Sequence, residues 1–126
     1  MERRLISSGS PYEPIMGFSR AVRVGPHVFV AGTAPVMPKG EELPPDAYSQ
    51  TKRCLEIIVA ALREAGAGPE HVVRTRIFAT HAEDFEEVAR AHGAVFGEVK
   101  PACTYVITQL IDPRWRVEIE AEALVE

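Results

Sequence analysis

The chain has 126 residues, 46% hydrophobic and 25% charged, with a net charge of -4. That size and balance fit one globular domain over residues 1–126 and exclude a disordered polyelectrolyte. An acidic chain without a basic run lacks the charge that supplies most non-specific affinity for nucleic acid, so no nucleic-acid partner is expected.

Met1-Glu2-Arg3-Arg4 leads straight into short alternation, without the apolar core of a signal peptide. No apolar run reaches the roughly 18–20 residues of a membrane span. A cytoplasmic protein with no membrane partner is expected. Residues 3–8 and 20–24 are strand-like, and Gly25-Pro26 turns the chain into a hairpin partner at His27-Val28-Phe29-Val30-Ala31-Gly32. Pro35 to Pro45 holds four prolines and Gly40, which predicts an irregular surface loop.

Asp46 is placed to cap a helix whose apolar positions Cys54, Leu55, Ile58, Ala61, Leu62 and Ala65 recur at helical steps, and Gly66-Ala67-Gly68-Pro69 stops it. Residues 72–79 alternate, with Val73, Thr75, Ile77 and Ala79 on one face and Arg74 and Arg76 on the other. Thr80-His81-Ala82-Glu83 has capping-box spacing before a second amphipathic helix carrying Phe85, Val88, Ala89, His92, Val95 and Phe96. Two further strands, 102–111 and 115–125, flank the turn Asp112-Pro113-Arg114.

The order β-β-β-α-β-α-β-β predicts a two-layer α/β sandwich: one mixed sheet with two helices on one face. The last strand sets Trp115, Val117, Ile119, Ala121 and Ala123 against Arg116, Glu118, Glu120 and Glu122. Three carboxylates in a row are either solvated or paired with arginine, because burial of unpaired charge is costly. Cys54 and Cys103 are far apart and read as free thiols of a reducing compartment. With no spaced ligand set and no phosphate loop, neither a metal nor a cofactor is expected.

Pro101-Ala102-Cys103-Thr104-Tyr105-Val106, then Leu110 and Val117-Glu118-Ile119-Glu120-Ala121, resemble the C-terminal signature of the RidA (YjgF/YER057c/UK114, Endoribonuclease L-PSP) family. In that family a Pro-Ala-Arg-Ser segment precedes a strand ending in Glu-Ile-Glu-Ala. Elements at Val24-Gly25, Ala31-Gly32, 46–66, 72–78 and Asp84-Phe85 extend the resemblance over roughly residues 5–124. It implies the chorismate-mutase-like fold with a six-stranded sheet, assembled as a homotrimer with inward-facing sheets and a small-molecule cleft at each subunit boundary.

In deaminating members the signature arginine grips the carboxylate of a 2-imino acid, and a glutamate orients the attacking water. Glu118 matches that glutamate, but Cys103 stands where the arginine would be. Phe18 replaces a family tyrosine, Ala31 a serine and Arg20 a glutamine.

The expected ligand contacts are thus Phe18, Arg20, Ala31, Cys103 and Thr104, with Glu118 positioning water and His92 transferring protons. Three of these have a plainer alternative: an arginine-paired carboxylate for Glu118, a satisfied core histidine for His92, a small buried hydrophobe for Cys103. Arg20 is a candidate substitute anchor for an anion. The functional expectation is hydrolysis or deamination of a small enamine, imine or related metabolite, with 2-iminopropionate deamination absent or weak. A non-catalytic metabolite-binding or regulatory trimer is the alternative. The family's endoribonuclease label sits poorly with the acidic balance.

Overall fold

The structure, a computed structural model, describes residues 2–126. Alternation and turn residues place β1 (Arg3–Ile6), β2 (Ala21–Val24) and β3 (His27–Thr33) much as expected, and Gly25 turns the β2–β3 hairpin at a φ of 57°. Between β1 and β2 lies a short helix, α1 (Tyr12–Met16), which periodicity did not predict. Its five residues are too few to show a helical repeat. Pro14 is tolerated there because the first turn needs no backbone donor.

The long helix α2 (Ala47–Glu64) begins where Asp46 accepts from the Ser49 amide at 2.8 Å, and Gly66 leaves it at a φ of 84°. A left-handed residue at that point is best supplied by glycine. Strand β4 (Val72–Ala79) follows, and then α3 (Phe85–Phe96).

The capping box expected at Thr80 does not form. A single 3-10 turn at Ala82–Asp84 intervenes, Asp84 takes the cap position without a side-chain cap, and the Thr80 hydroxyl bonds the His81 ring at 2.8 Å. Phe85, expected on the buried stripe of α3, is exposed and meets Tyr105 edge-on, whereas Val88, Ala91 and Phe96 are buried.

Strands β5 (Ala102–Ile107) and β6 (Val117–Leu124) are shorter than expected, because the segment between them turns at Asp112, whose carboxylate accepts from the Arg114 amide at 2.9 Å. The sheet order is β1-β2-β3-β6-β4-β5, with β4–β5 parallel and the other pairs antiparallel. The C-terminal strand is therefore inserted between β3 and β4, at the centre of the sheet. Helices α2 and α3 cover one face, giving the two-layer α/β sandwich.

The core sits between them. Val117, Ile119, Ala121 and Ala123 of β6 pack with Leu55, Ile58 and Leu62 of α2. Gln50, completely buried, ties three segments together: its amide donates to the carbonyls of Pro44 and Arg114, and its oxygen accepts from the Arg116 amide at 2.7 Å. Each polar atom of that side chain has a partner, as burial demands.

Because Leu62 is fully buried against β6 and its neighbours, Leu62→Ala removes apolar contacts and leaves a cavity. It is expected to destabilise the fold by about 2–5 kcal/mol, read as a shifted midpoint in denaturant melts.

Candidate functional site

Arg74, Arg76 and Phe78 alternate onto the uncovered face of β4, opposite Glu122, Glu120 and Glu118 of β6. This register separates three glutamates that look equivalent in the sequence. Arg76 lies 3.7 Å from both Glu120 and Glu122, and Arg74 lies 3.8 Å from Glu122. Glu118, facing Phe78, has no ion-pair partner among the described residues.

A β-bulge on the other side of β6 completes the difference. Val30 pairs with Ala121 and Thr33 with Ile119, so β3 carries one extra residue at Ala31-Gly32. Bulges re-aim neighbouring groups, and here the bulge brings Gly32 against the Glu118 carboxylate. A Cβ at Gly32 would collide with Glu118 Oε2. The missing side chain is what makes room for the acid.

Glu118 opens onto a pocket of about 350 Å³ where β3 ends and β6 begins. Its walls include Tyr12 and Met16 of α1, Phe18, Arg20, Ala31, Gly32, Val36, Ile111 and Trp115. Tyr12 and Trp115 meet edge-on with ring centroids 6.3 Å apart. Burial among these groups raises the pKa of Glu118; Arg20 pulls it back down and Glu120 pushes it further up.

Arg20 is the second charge of the pocket and is only 5% exposed. One guanidinium nitrogen, Nη2, donates to the Gly32 carbonyl at 3.0 Å, and the guanidinium sits over the Phe18 ring at 5.3 Å. Nε is buried without a partner. Burial lowers the Arg20 pKa, and the charges of Glu13 and Glu118 act to raise it. Glu13 is held in turn by the hydroxyls of Ser7 at 2.8 Å and Ser8 at 2.7 Å. Burial pushes Glu13 up, but the hydrogen bonds from Ser8 and Ser7 outweigh it and leave the group below its usual range.

Residues 9–125 match the family model described as Endoribonuclease L-PSP. The chain belongs to this family, the RidA or YjgF/YER057c/UK114 family. The RidA fold is seen in the crystal structure of Rv2704 from Mycobacterium tuberculosis, a YjgF/YER057c/UK114 member, at TM-score 0.90 and 42% identity, covering 98% of this chain and 100% of that one. Protein SCO2049 of Streptomyces coelicolor is 43% identical over 95% of this chain and 90% of its own length. The 2-iminobutanoate/2-iminopropanoate deaminase of Escherichia coli is 28% identical over 98% of each chain.

Within one protomer of this RidA-family protein, the pocket gathers Phe18, Arg20, Ala31 and Glu118, but not the other expected residues. Cys103 and Thr104 lie on β5, the edge strand, separated from β3 by β4 and β6. Cys103 is exposed rather than buried; the buried thiol is Cys54, raised by desolvation out of the reactive range.

His92 is on the helix-covered side of the sheet, bonded through Nε2 to the Thr75 hydroxyl at 2.9 Å and leaning on Phe96 at 4.8 Å. Burial lowers its pKa. The sheet itself separates His92 from Glu118, so the proton-transfer partner expected for Glu118 is not supplied within the protomer.

Sequence alternation put Trp115 on the apolar face with Val117 but did not show that it lines the pocket, because the period says nothing of which segments lie beside it. It also missed Tyr12 and Met16, which stand on the unpredicted α1.

Glu118 carries a stability signature. Its folded pKa is raised, so the stability it contributes is fully present below the unfolded value and is lost as pH rises through the folded value. Glu118→Gln removes a charge that burial disfavours at neutral pH. Thermal melts are expected to show a higher midpoint for the variant at pH 7, with the gap to wild type closing below the usual carboxylate range.

Proposed function

We propose that the Glu118 pocket is a hydrolytic site for a small enamine, imine or related carbonyl compound other than the usual 2-imino acids. The observation that carries this reading is Glu118 itself: half-buried, raised in pKa, unpaired among the described residues and given its space by Gly32. A carboxylate whose charged form is disfavoured by burial and that has no ion pair is suited to orient a water and accept its proton. The deamination named for the Escherichia coli relative is a hydrolysis of the same bond class.

Cys103 bears on the substrate. It offers neither the charge nor the two-pronged donor geometry of a guanidinium, so a 2-imino acid loses its usual anchor. Losing such a contact in a closed site costs about 2–5 kcal/mol, or a factor of roughly 30 to several thousand.

The working form in this reading is a homotrimer with the uncovered sheet faces inward. Phe29 and Val106 are 47% and 39% exposed, apolar groups whose burial assembly would reward. A neighbour's edge strand would bring Cys103 and Thr104 to the mouth of the pocket. Sedimentation velocity at micromolar concentration is expected to give three times the chain mass; a stable monomer would overturn the assembly.

The placement of His92 favours a second reading, a metabolite-binding trimer without turnover, because the histidine expected to transfer protons for Glu118 is bonded to Thr75 on the other side of the sheet. A steady-state screen of enamines, imines and small amides separates the two. Turnover of at least one compound, lowered about 100-fold or more in Glu118→Gln, supports hydrolysis. Binding without turnover supports the second reading, and turnover unchanged in Glu118→Gln sinks the role of Glu118.

In the same assay 2-iminopropionate is expected to be hydrolysed no faster with wild type than without it, and weakly with Cys103→Arg. Wild-type activity equal to that of an arginine-bearing relative would overturn the substrate assignment.

A further inference from the structure

We infer that the pocket takes a small organic monocation, an ammonium or iminium group on an apolar body of aromatic size with no carboxylate of its own, and that Glu118 is its counter-ion. This deepens the reading of the Glu118 pocket as the ligand site and rests on it.

The contrast with the other acids is direct. Among the described residues, every other acid that is buried or half-buried has a donor in place. Glu13 has the hydroxyls of Ser7 and Ser8, Asp84 has Arg116, Glu87 the Tyr48 amide and Asp112 the Arg114 guanidinium. Glu120 and Glu122 have the arginines of β4. Glu118 is half-buried and has no ion pair. A carboxylate drawn from water without a partner costs stability, and a cationic ligand removes that cost.

Arg20 does not fill the gap. It is 5% exposed, its Nη2 donates to the Gly32 carbonyl, and its guanidinium sits over the Phe18 ring. The same cation stands within electrostatic reach of two carboxylates, Glu13 and Glu118. With both ionised, the three groups carry one negative charge in excess. A monocation closes that balance, whereas a carboxylate ligand would widen it. Burial raises the Glu118 pKa, and a bound cation opposes that shift by favouring the ionised form.

The remaining wall sets the body. Tyr12, Phe18, Ile111 and Trp115 border a space of about 350 Å³, near the small end of ligand pockets. Aromatic ring faces attract cations and repel anions. Glu118 and Arg20 are the charged side chains of the lining, so the wall offers no second anchor to an ionic tail. Cys103 and Thr104, which the proposed trimer would bring to the mouth, are uncharged as well. An iminium is also the protonated form of an imine, the form most open to attack by water, so one carboxylate serves both the binding and the hydrolysis proposed above.

Trp115 is the only tryptophan of the chain and lines the pocket, so its fluorescence reports occupancy. Benzylamine, which is protonated at neutral pH, its neutral isostere benzyl alcohol, and benzoate are titrated into the full-length protein, wild type and Glu118→Gln. The salt is about 0.15 M, where surface charge is screened. None of the three probes has a C=N bond, so binding is read apart from turnover. Wild type is expected to bind benzylamine at least about tenfold more tightly than benzyl alcohol, and benzoate more weakly than either. Glu118→Gln is expected to keep the alcohol and lose the preference for the amine. Should Glu118→Gln fail to fold by circular dichroism, Glu118→Asp, which shortens the reach of the carboxylate, is expected to show a reduced preference. Equal affinity of wild type for amine and alcohol overturns the cation assignment and leaves the pocket standing as a ligand site. So does tightest binding of benzoate, or a preference for the amine that survives in the variants. No fluorescence response to any of the probes overturns the pocket as the ligand site, and the inference with it.

Discussion

The insertion of β6 between β3 and β4 is the constraint from which the rest of the molecule follows. Its inward face meets α2, so Val117, Ile119, Ala121 and Ala123 are buried where they have that helix on one side and the paired strands beside them. Its outward face takes whatever the two flanking strands present. On the β4 side that is Arg74, Arg76 and Phe78; on the β3 side it is a bulge at Ala31-Gly32. A one-residue slip of β6 would turn every carboxylate into the core, so the hydrophobic face fixes the register that the polar face then exploits.

Charge is distributed unevenly over this frame. Glu120 and Glu122 share Arg74 and Arg76 in partly exposed pairs, each worth little on its own. Arg116 and Asp84 form a two-pronged pair at 2.7 and 3.0 Å with Asp84 buried, which anchors the start of α3 to the start of β6. Glu118 and Arg20 are treated differently: Arg20 is buried and Glu118 half-buried, and neither has a contacting counter-ion among the described residues. Local electrostatic cost concentrated in one apolar pocket is the usual mark of a site built to bind rather than to stabilise.

The fold and the chemistry of this RidA-family chain are thus separable. The backbone that holds the pocket is shared with relatives such as Rv2704 at TM-score 0.90, yet fold alone does not determine chemistry. The acid sits on β6 at the centre of the sheet, while Cys103 sits on the edge strand, where a substitution disturbs nothing in the core. An edge-strand position of that kind can change without loss of the frame.

Much of the frame was legible in the sequence, because long periodic segments report their buried faces directly. Asp46 announced the start of α2, Gly66 its end, and the alternation of 117–123 the two faces of β6. The RidA resemblance singled out Glu118 among three glutamates, something spacing alone cannot do. What tertiary structure alone decided was the company each residue keeps. Glu118 differs from Glu120 and Glu122 only because Phe78 and Gly32 stand beside it across strand pairings that join distant segments. His92, correctly placed on the apolar face of its helix, proved to be on the wrong side of the sheet for Glu118, and α1 entered the pocket from a stretch with no period to read. Periodicity records which way a side chain faces along its own element; it carries no record of which strand will lie next to it, and the pocket is made of those neighbours.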